Sequence, residues 1–232
     1  NAQLIATAAT RPGRCLEIGA GRGTKTYVMM CQAKRAGYER QHTALDLHDR
    51  KCDLNLARLH KAGIQGVRTV SGDACELDEV LTSFDAMLGE PALFDTVFID
   101  APCSGTGTMR RHPEIPWRLT ENDVTSELPK LQLTMLKEAA SRVAAGGELI
   151  YATCSVFDEE NTQVVDAFLA SPEGEGFAVA PLSEAQILQL PDFSQAKKLV
   201  SVRQNARGLF QSVPINADSY DGHFCARLVH NS

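Results

Sequence analysis

The sequence predicts a doubly wound α/β fold: a seven-stranded, mostly parallel sheet with helices on both faces. Three observations predict it. Short, β-rich apolar runs alternate with longer segments of helical period. A turn with three alternating glycines joins the first run to the first helical segment. Acidic residues, Asp46, Asp73 and Asp100, stand at the ends of later runs, where a parallel sheet gathers them along one crevice.

In order, the first strand is predicted over residues 14–18; it closes on the glycines of 19–23, and a helix then runs over 25–36. A second strand over 43–47 precedes a helix over 51–62, and a third over 67–71 leads into Asp73. The fourth strand, 93–100, ends on Asp100. A helix over 128–144 carries the chain to a fifth strand over 148–153, and another helix follows over 159–169. Residues 171–176 read as a turn, 177–181 as the sixth strand, 191–221 as mixed loop and short strand, and 223–229 as the last strand.

A chain of 232 residues with 44% hydrophobic content can bury a full core, and one domain over 1–232 is expected. Its apolar stretches stop well short of the roughly 20 residues of a membrane span. Residues 1–10 lack the basic opening and apolar run of a signal peptide. A cytoplasmic monomer is the expectation, and the late start of the first strand predicts a domain of a longer protein with a further region elsewhere. Seven cysteines without a C-x-x-C pair give no sign of a metal site or redox dithiol. A net charge of −6 excludes a surface that holds nucleic acid over its whole extent, so any such contact must be local.

The segment from Leu16 to Thr26 ends a strand, turns through Gly19, Gly21 and Gly23, and opens a helix. Glycines let the backbone approach a ligand, and the helix start adds oriented N–H donors. Dinucleotide-binding domains share this pattern. Asp46 is placed to accept hydrogen bonds from ribose hydroxyls and Asp73 to meet an adenine edge, although each acid alone is more often a turn residue or helix cap than a ligand.

Two further blocks are more specific: D-A-P-C-S-G-T-G from Asp100 to Gly107, and A-T-C-S from Ala152 to Ser155 with Glu160 and Asn161 behind it. Both resemble the signature blocks of the Sun-type family of RNA cytosine-C5 methyltransferases, and the resemblance runs from about Ala2 to Val229. The lead-in at Ala2 to Ile5 and the closing stretch from Asp221 to Leu228 are similar too. One block departs: where the family has C-A-A-P-G-G-K-T, this chain has Gly19, Ala20, Gly21, Arg22, Gly23, Thr24, Lys25 and Thr26. That restores the general methyltransferase pattern E-x-G-x-G-x-G, so the cofactor assignment is kept.

The resemblance implies a Rossmann-like class I methyltransferase fold and S-adenosylmethionine as cofactor, held by residues 19–25 with Asp46, Asp73 and Asp100. It implies that Cys154 adds to carbon 6 of cytosine, which makes carbon 5 nucleophilic, that Asp100 holds the ring at N3, and that Cys103 assists release. The strand before Cys154 and the helix expected just after it would lower its pKa. Arg110, Arg111 and Arg118, with His112 and Trp117, form a basic cluster suited to RNA phosphates or, equally, a solvated turn. The RNA implied is ribosomal, with tRNA as the alternative. Two other readings stay open: an inactive binding module on the same fold, and a DNA cytosine-C5 methyltransferase, whose nucleophile would lie in the Pro-Cys block.

Overall fold

The computed structural model describes residues 1–215 and 220–231. In chain order the elements are α1 (Ala2–Ala8), β1 (Gly13–Ile18), α2 (Thr24–Ala36), β2 (Arg40–Asp46), α3 (Asp49–Lys61), β3 (Val67–Ser71), α4 (Leu77–Leu88) and β4 (Phe94–Asp100). There follow α5 (Ile115–Arg118), α6 (Leu128–Ala140), β5 (Val143–Thr153), α7 (Thr162–Leu169), β6 (Phe177–Ala180), α8 (Ser194–Ser201), β7 (Phe210–Ser212) and β8 (His223–His230). The sheet runs β3-β2-β1-β4-β5-β8-β6. The first five strands are parallel, and β8 lies antiparallel to β5.

Alternation along the central strands explains why helices cover both faces. Val97, Ile99, Leu149, Tyr151 and Phe224 enter one core with Leu77, Leu81, Leu136 and Phe168. Their neighbours Phe98, Ile150, Ala152 and Cys225 enter the other with Ile5, Met29 and Phe193. A strand buried on both faces needs this run of apolar residues. The strand order reverses between β1 and β4, which opens a crevice at the strands' carboxyl ends.

Among the described residues there are eight strands rather than seven. The addition is β7, in the stretch expected to mix loop and short strand; it pairs with β8 end to end with β6. Residues 216–219 of that stretch lie outside the described residues. Helix α6 stops at Ala140, not at 144, because Val143 already pairs with Phe94 across a register shift in β5. The helices α4 and α8 were not anticipated. No helix among the described residues is long and apolar enough to cross a membrane, and no group of His, Cys, Asp or Glu among them could hold a metal ion.

Candidate active site

The chain leaves β1 through Gly19 at φ +76°, where a Cβ would lie 2.3 Å from the backbone oxygen of Asp100. Only glycine lets β1 and β4 end this close together. The Gly21 N–H donates to Asp46 Oδ2 at 2.9 Å, while Asp46 Oδ1 accepts from the His48 N–H at 3.1 Å and sits 3.3 Å from Lys51 Nζ. A cleft of about 390 Å³ lies here, lined by Gly19, Gly21, Asp46, Asp73 and Asp100, with Leu131 and Met135 as an apolar wall. Other members of the expected cofactor set stand outside this lining. Ala20 is buried, Arg22 and Thr24 face solvent, and Gly23 backs onto Asn55. A slightly larger cleft, about 420 Å³, lies between α1 and α8, away from these residues.

Lys25 turns inward from the first turn of α2, and its ammonium donates to Asp100 Oδ2 at 2.5 Å. Burial by itself would lower the lysine's pKa; the facing carboxylate overrides it, and the net direction is up. Burial raises that of Asp100 and Lys25 offsets part of the rise.

β4 and β5 are neighbours in register, Asp100 opposite Ala152. The loops that continue them bring Cys103 and Cys154, 51 residues apart in the chain, to an Sγ···Sγ distance of 3.3 Å. Both side chains are half-buried. The hydrogen bond between the sulfurs lowers the pKa of Cys154, assisted by Lys25 and opposed by burial and Asp100. The same bond, with burial, pushes Cys103 well above the ordinary thiol range. The two shifts are opposite in direction, so Cys154 is the more acidic of the two thiols. A helix start does not cause this, contrary to expectation, because α7 begins only at Thr162.

The sulfur separation is set by a buried polar network. Glu160, fully buried, accepts from the Ser104 N–H at 2.8 Å and Gln132 Nε2 at 3.1 Å on one oxygen, and from the Ser155 hydroxyl at 2.6 Å on the other. Ser104 and Ser155 each follow one of the cysteines, and their hydroxyls are 3.1 Å apart. Asn161 donates to the Ser155 carbonyl at 3.1 Å and accepts from Thr153. The Gly107 N–H donates to the Cys154 carbonyl at 2.8 Å, and a Cβ on Gly107 would lie 2.4 Å from the Gly222 oxygen. The sequence marked Glu160 and Asn161 as part of a block without assigning them a task, and Gln132 carried no signal at all.

A second buried set was also missed. Glu17 accepts from the Thr26 hydroxyl at 2.6 Å and meets His42 Nε2 at 2.8 Å beneath the glycine turn. Its signal was available, since Glu17 is the acid that opens the E-x-G-x-G-x-G pattern, but it was given no task. The basic cluster is held by acids: Arg111 and Arg110 pair with Asp221 at 2.5 and 3.8 Å, and Arg118 with Glu114 at 3.9 Å. Trp117 beside them is 89% exposed.

A doubly wound sheet whose last strand is reversed against β5, with a glycine-lined cleft at the switch point, belongs to the Rossmann-like methyltransferases. This chain is a member of the 16S rRNA methyltransferase RsmB/F family, whose model matches residues 5–229. It is similar to ribosomal RNA small subunit methyltransferase B of Pectobacterium atrosepticum, 37% identical over 142 residues, which are 61% of this chain and 28% of that protein. The protein of the same name from Klebsiella pneumoniae is 45% identical over 95 residues, 40% of this chain and 22% of its own length. The chain thus matches about a quarter of the length of these curated relatives. In fold it is similar to NSun6 from Pyrococcus horikoshii, solved with SFG. The TM-score is 0.74 at 18% identity, covering 100% of this chain and 52% of that one.

Proposed function

We propose that this chain is an S-adenosylmethionine-dependent RNA methyltransferase that methylates carbon 5 of a cytosine, with small-subunit ribosomal RNA as substrate and the cytoplasm as its place of action. The single observation that carries the reading is the pair of sulfurs, 3.3 Å apart, beside the Lys25–Asp100 pair at the ends of β4 and β5. Family membership and the names of the relatives support the substrate.

The cleft fits the cofactor. A side chain at Gly19 would collide with the backbone of β4, Asp46 offers carboxylate oxygens to ribose hydroxyls, and Asp73 stands at the opposite wall for the adenine. When bound, S-adenosylmethionine supplies an electrophilic methyl group. The protein's own residues do the rest. The Cys154 thiolate adds to carbon 6, forming a C–S bond and leaving carbon 5 nucleophilic. Asp100, held by Lys25, keeps the base oriented at N3 and offsets the charge that develops there. After methylation a solvent water takes the proton from carbon 5, its electron pair restores the C5–C6 double bond, and the C–S bond breaks with its pair returning to Cys154. The Cys103 S–H donates to that departing sulfur. Arg110, Arg111 and Arg118 exchange their acidic partners for phosphates.

The test uses RNA carrying 5-azacytosine, which traps the covalent adduct. Wild type and Cys103→Ala should form an adduct that survives denaturing gels, and Cys154→Ala should form none. An adduct with Cys154→Ala and none with Cys103→Ala would reverse the roles and favour the logic of the DNA enzymes. Failure to bind S-adenosylmethionine in a direct titration would favour the inactive binding module.

A further inference from the structure

The two cysteine loops run on to build a second pocket. Thr106, three residues past Cys103, and Phe157, three past Cys154, line it together with Met109 and Val124, and its volume is about 370 Å³. Its floor is fixed to the sulfur site, since the Thr106 hydroxyl accepts from the Val156 N–H at 3.1 Å and lies 3.4 Å from Ser155 Oγ. Phe157 and Met109 each leave 38% of their surface exposed. Large apolar side chains held open beside a polar site mark a place where a ligand completes the packing. Two carboxylates, Glu121 and Glu159, also line the pocket, and such groups accept hydrogen bonds without donating them. Arg110 and Arg111 follow the lining residue Met109 in the chain, and Arg118 precedes the lining residue Leu119.

We propose that this pocket receives the base next to the target cytosine in single-stranded RNA, stacks it on Phe157, and selects bases with an exocyclic amino group over uracil. The proposal rests on the RNA-methylating reading above. Single-stranded RNA is recognised through splayed bases that stack on aromatic side chains and pair along their polar edges, with phosphates tracking cations. An open ring and acceptor groups, on loops that run on from the two cysteines, match that chemistry. Adenine, guanine and cytosine present amino protons to Glu121 and Glu159. Uracil sets two carbonyl oxygens against them around one N–H.

The experiment is a fluorescence-anisotropy titration of the chain with short single-stranded RNAs holding one central cytosine. Each flanking nucleotide in turn is made abasic, against wild type, Phe157→Ala and the milder Phe157→Leu, which keeps the apolar volume and removes the ring. On one side, the abasic change should weaken wild-type binding roughly 5- to 100-fold, the range for one stacked base. Both variants should weaken binding of the intact RNA while making that abasic change nearly free of cost, as a coupled pair requires. Wild type should bind uracil at that position more weakly than the three amino-bearing bases. Equal abasic losses in wild type and both variants, on either side, overturn the proposal, and so does indifference to uracil. An abasic change at the central cytosine tests the other reading: if it costs nothing while the flanking effect persists, the target assignment fails and the pocket stands. An RNA that binds in none of its forms overturns both.

Discussion

Replacing Glu160 with leucine should destabilise the chain by about 3 kcal/mol and, independently of stability, make the two cysteines more alike in acidity. Leucine approximates the shape and accepts nothing. The Ser104 N–H loses its acceptor and is left buried. Gln132 keeps the Pro102 carbonyl at 2.9 Å, and the Ser155 hydroxyl can turn to Ser104 Oγ at 3.1 Å. One orphaned donor costs about 1–3 kcal/mol, and the lost charge-assisted bonds bring the total near the upper end. In a chain of this size that lowers the melting temperature by about 6–12 °C. Glu160→Gln keeps an acceptor toward Ser104 and can donate toward Ser155, so it should cost only about 1 kcal/mol.

The functional readout is alkylation of Cys154 by iodoacetamide below the melting range. Ser104 and Ser155 are the residues next to the sulfurs, so slackening their anchor lengthens the 3.3 Å contact. The S–H donor then no longer favours the thiolate, and alkylation near neutral pH should slow in Glu160→Leu and remain close to wild type in Glu160→Gln. A leucine variant that melts with the wild type and alkylates at the wild-type rate would refute the assignment of Glu160 as the anchor.

Cys103→Ala removes the donor that holds the Cys154 pKa down, so the alkylation profile of Cys154 should move to higher pH; an unmoved profile would show that Lys25 alone sets it. His223 is lowered to about 4 by burial, against the partial compensation of the Asp221 carbonyl, so it favours the fold above its unfolded value near 6.5 and withdraws that support as pH falls toward 4. Between pH 7 and pH 5 the wild type should therefore lose about 2 kcal/mol more stability than His223→Gln, measured by urea unfolding at both values. Gly107→Ala places a Cβ 2.4 Å from the Gly222 oxygen and 2.7 Å from the Cys154 oxygen, both backbone atoms; adduct formation should fall steeply although neither sulfur is altered.

The strands were legible because a sheet buried on both faces cannot hide its apolar runs: residues 14–18, 67–71 and 93–100 were placed within a residue of their observed bounds. Helix α4 was missed although Leu77, Val80, Leu81 and Phe84 carry helical spacing; four acids in the same segment, Asp78, Glu79, Asp85 and the preceding Glu76, disguise it as loop. Helix α8 buries little beyond Val200, so its pattern is faint. At the site, the cysteines and Asp100 could be named from their blocks. The sulfur separation could not, because it depends on Glu160 and Gln132, and a buried hub is visible only once the strands have brought its partners together.

The charges around the sulfurs explain why one acid and one lysine accompany two thiols. Lys25 is the cation shared by two groups that could each be anionic: it lowers the pKa of Cys154 and of Asp100, while Asp100 itself raises that of Cys154. Two full negative charges against one ammonium would be costly where water is thinned out. The directions relieve this. The Cys154 pKa falls, burial raises that of Asp100 while Lys25 offsets part of the rise, and the facing carboxylate raises that of Lys25. In the proposed reaction cytosine N3 takes up a proton as the thiolate attacks carbon 6, and the hydrogen bond between Lys25 and Asp100 holds the proton that would be supplied. Asp100→Asn would remove both the carboxylate that opposes a Cys154 thiolate and the transferable proton. It should leave Cys154 alkylation at least as fast as in wild type while abolishing the adduct with 5-azacytosine RNA, a split that a merely structural Asp100 would not produce.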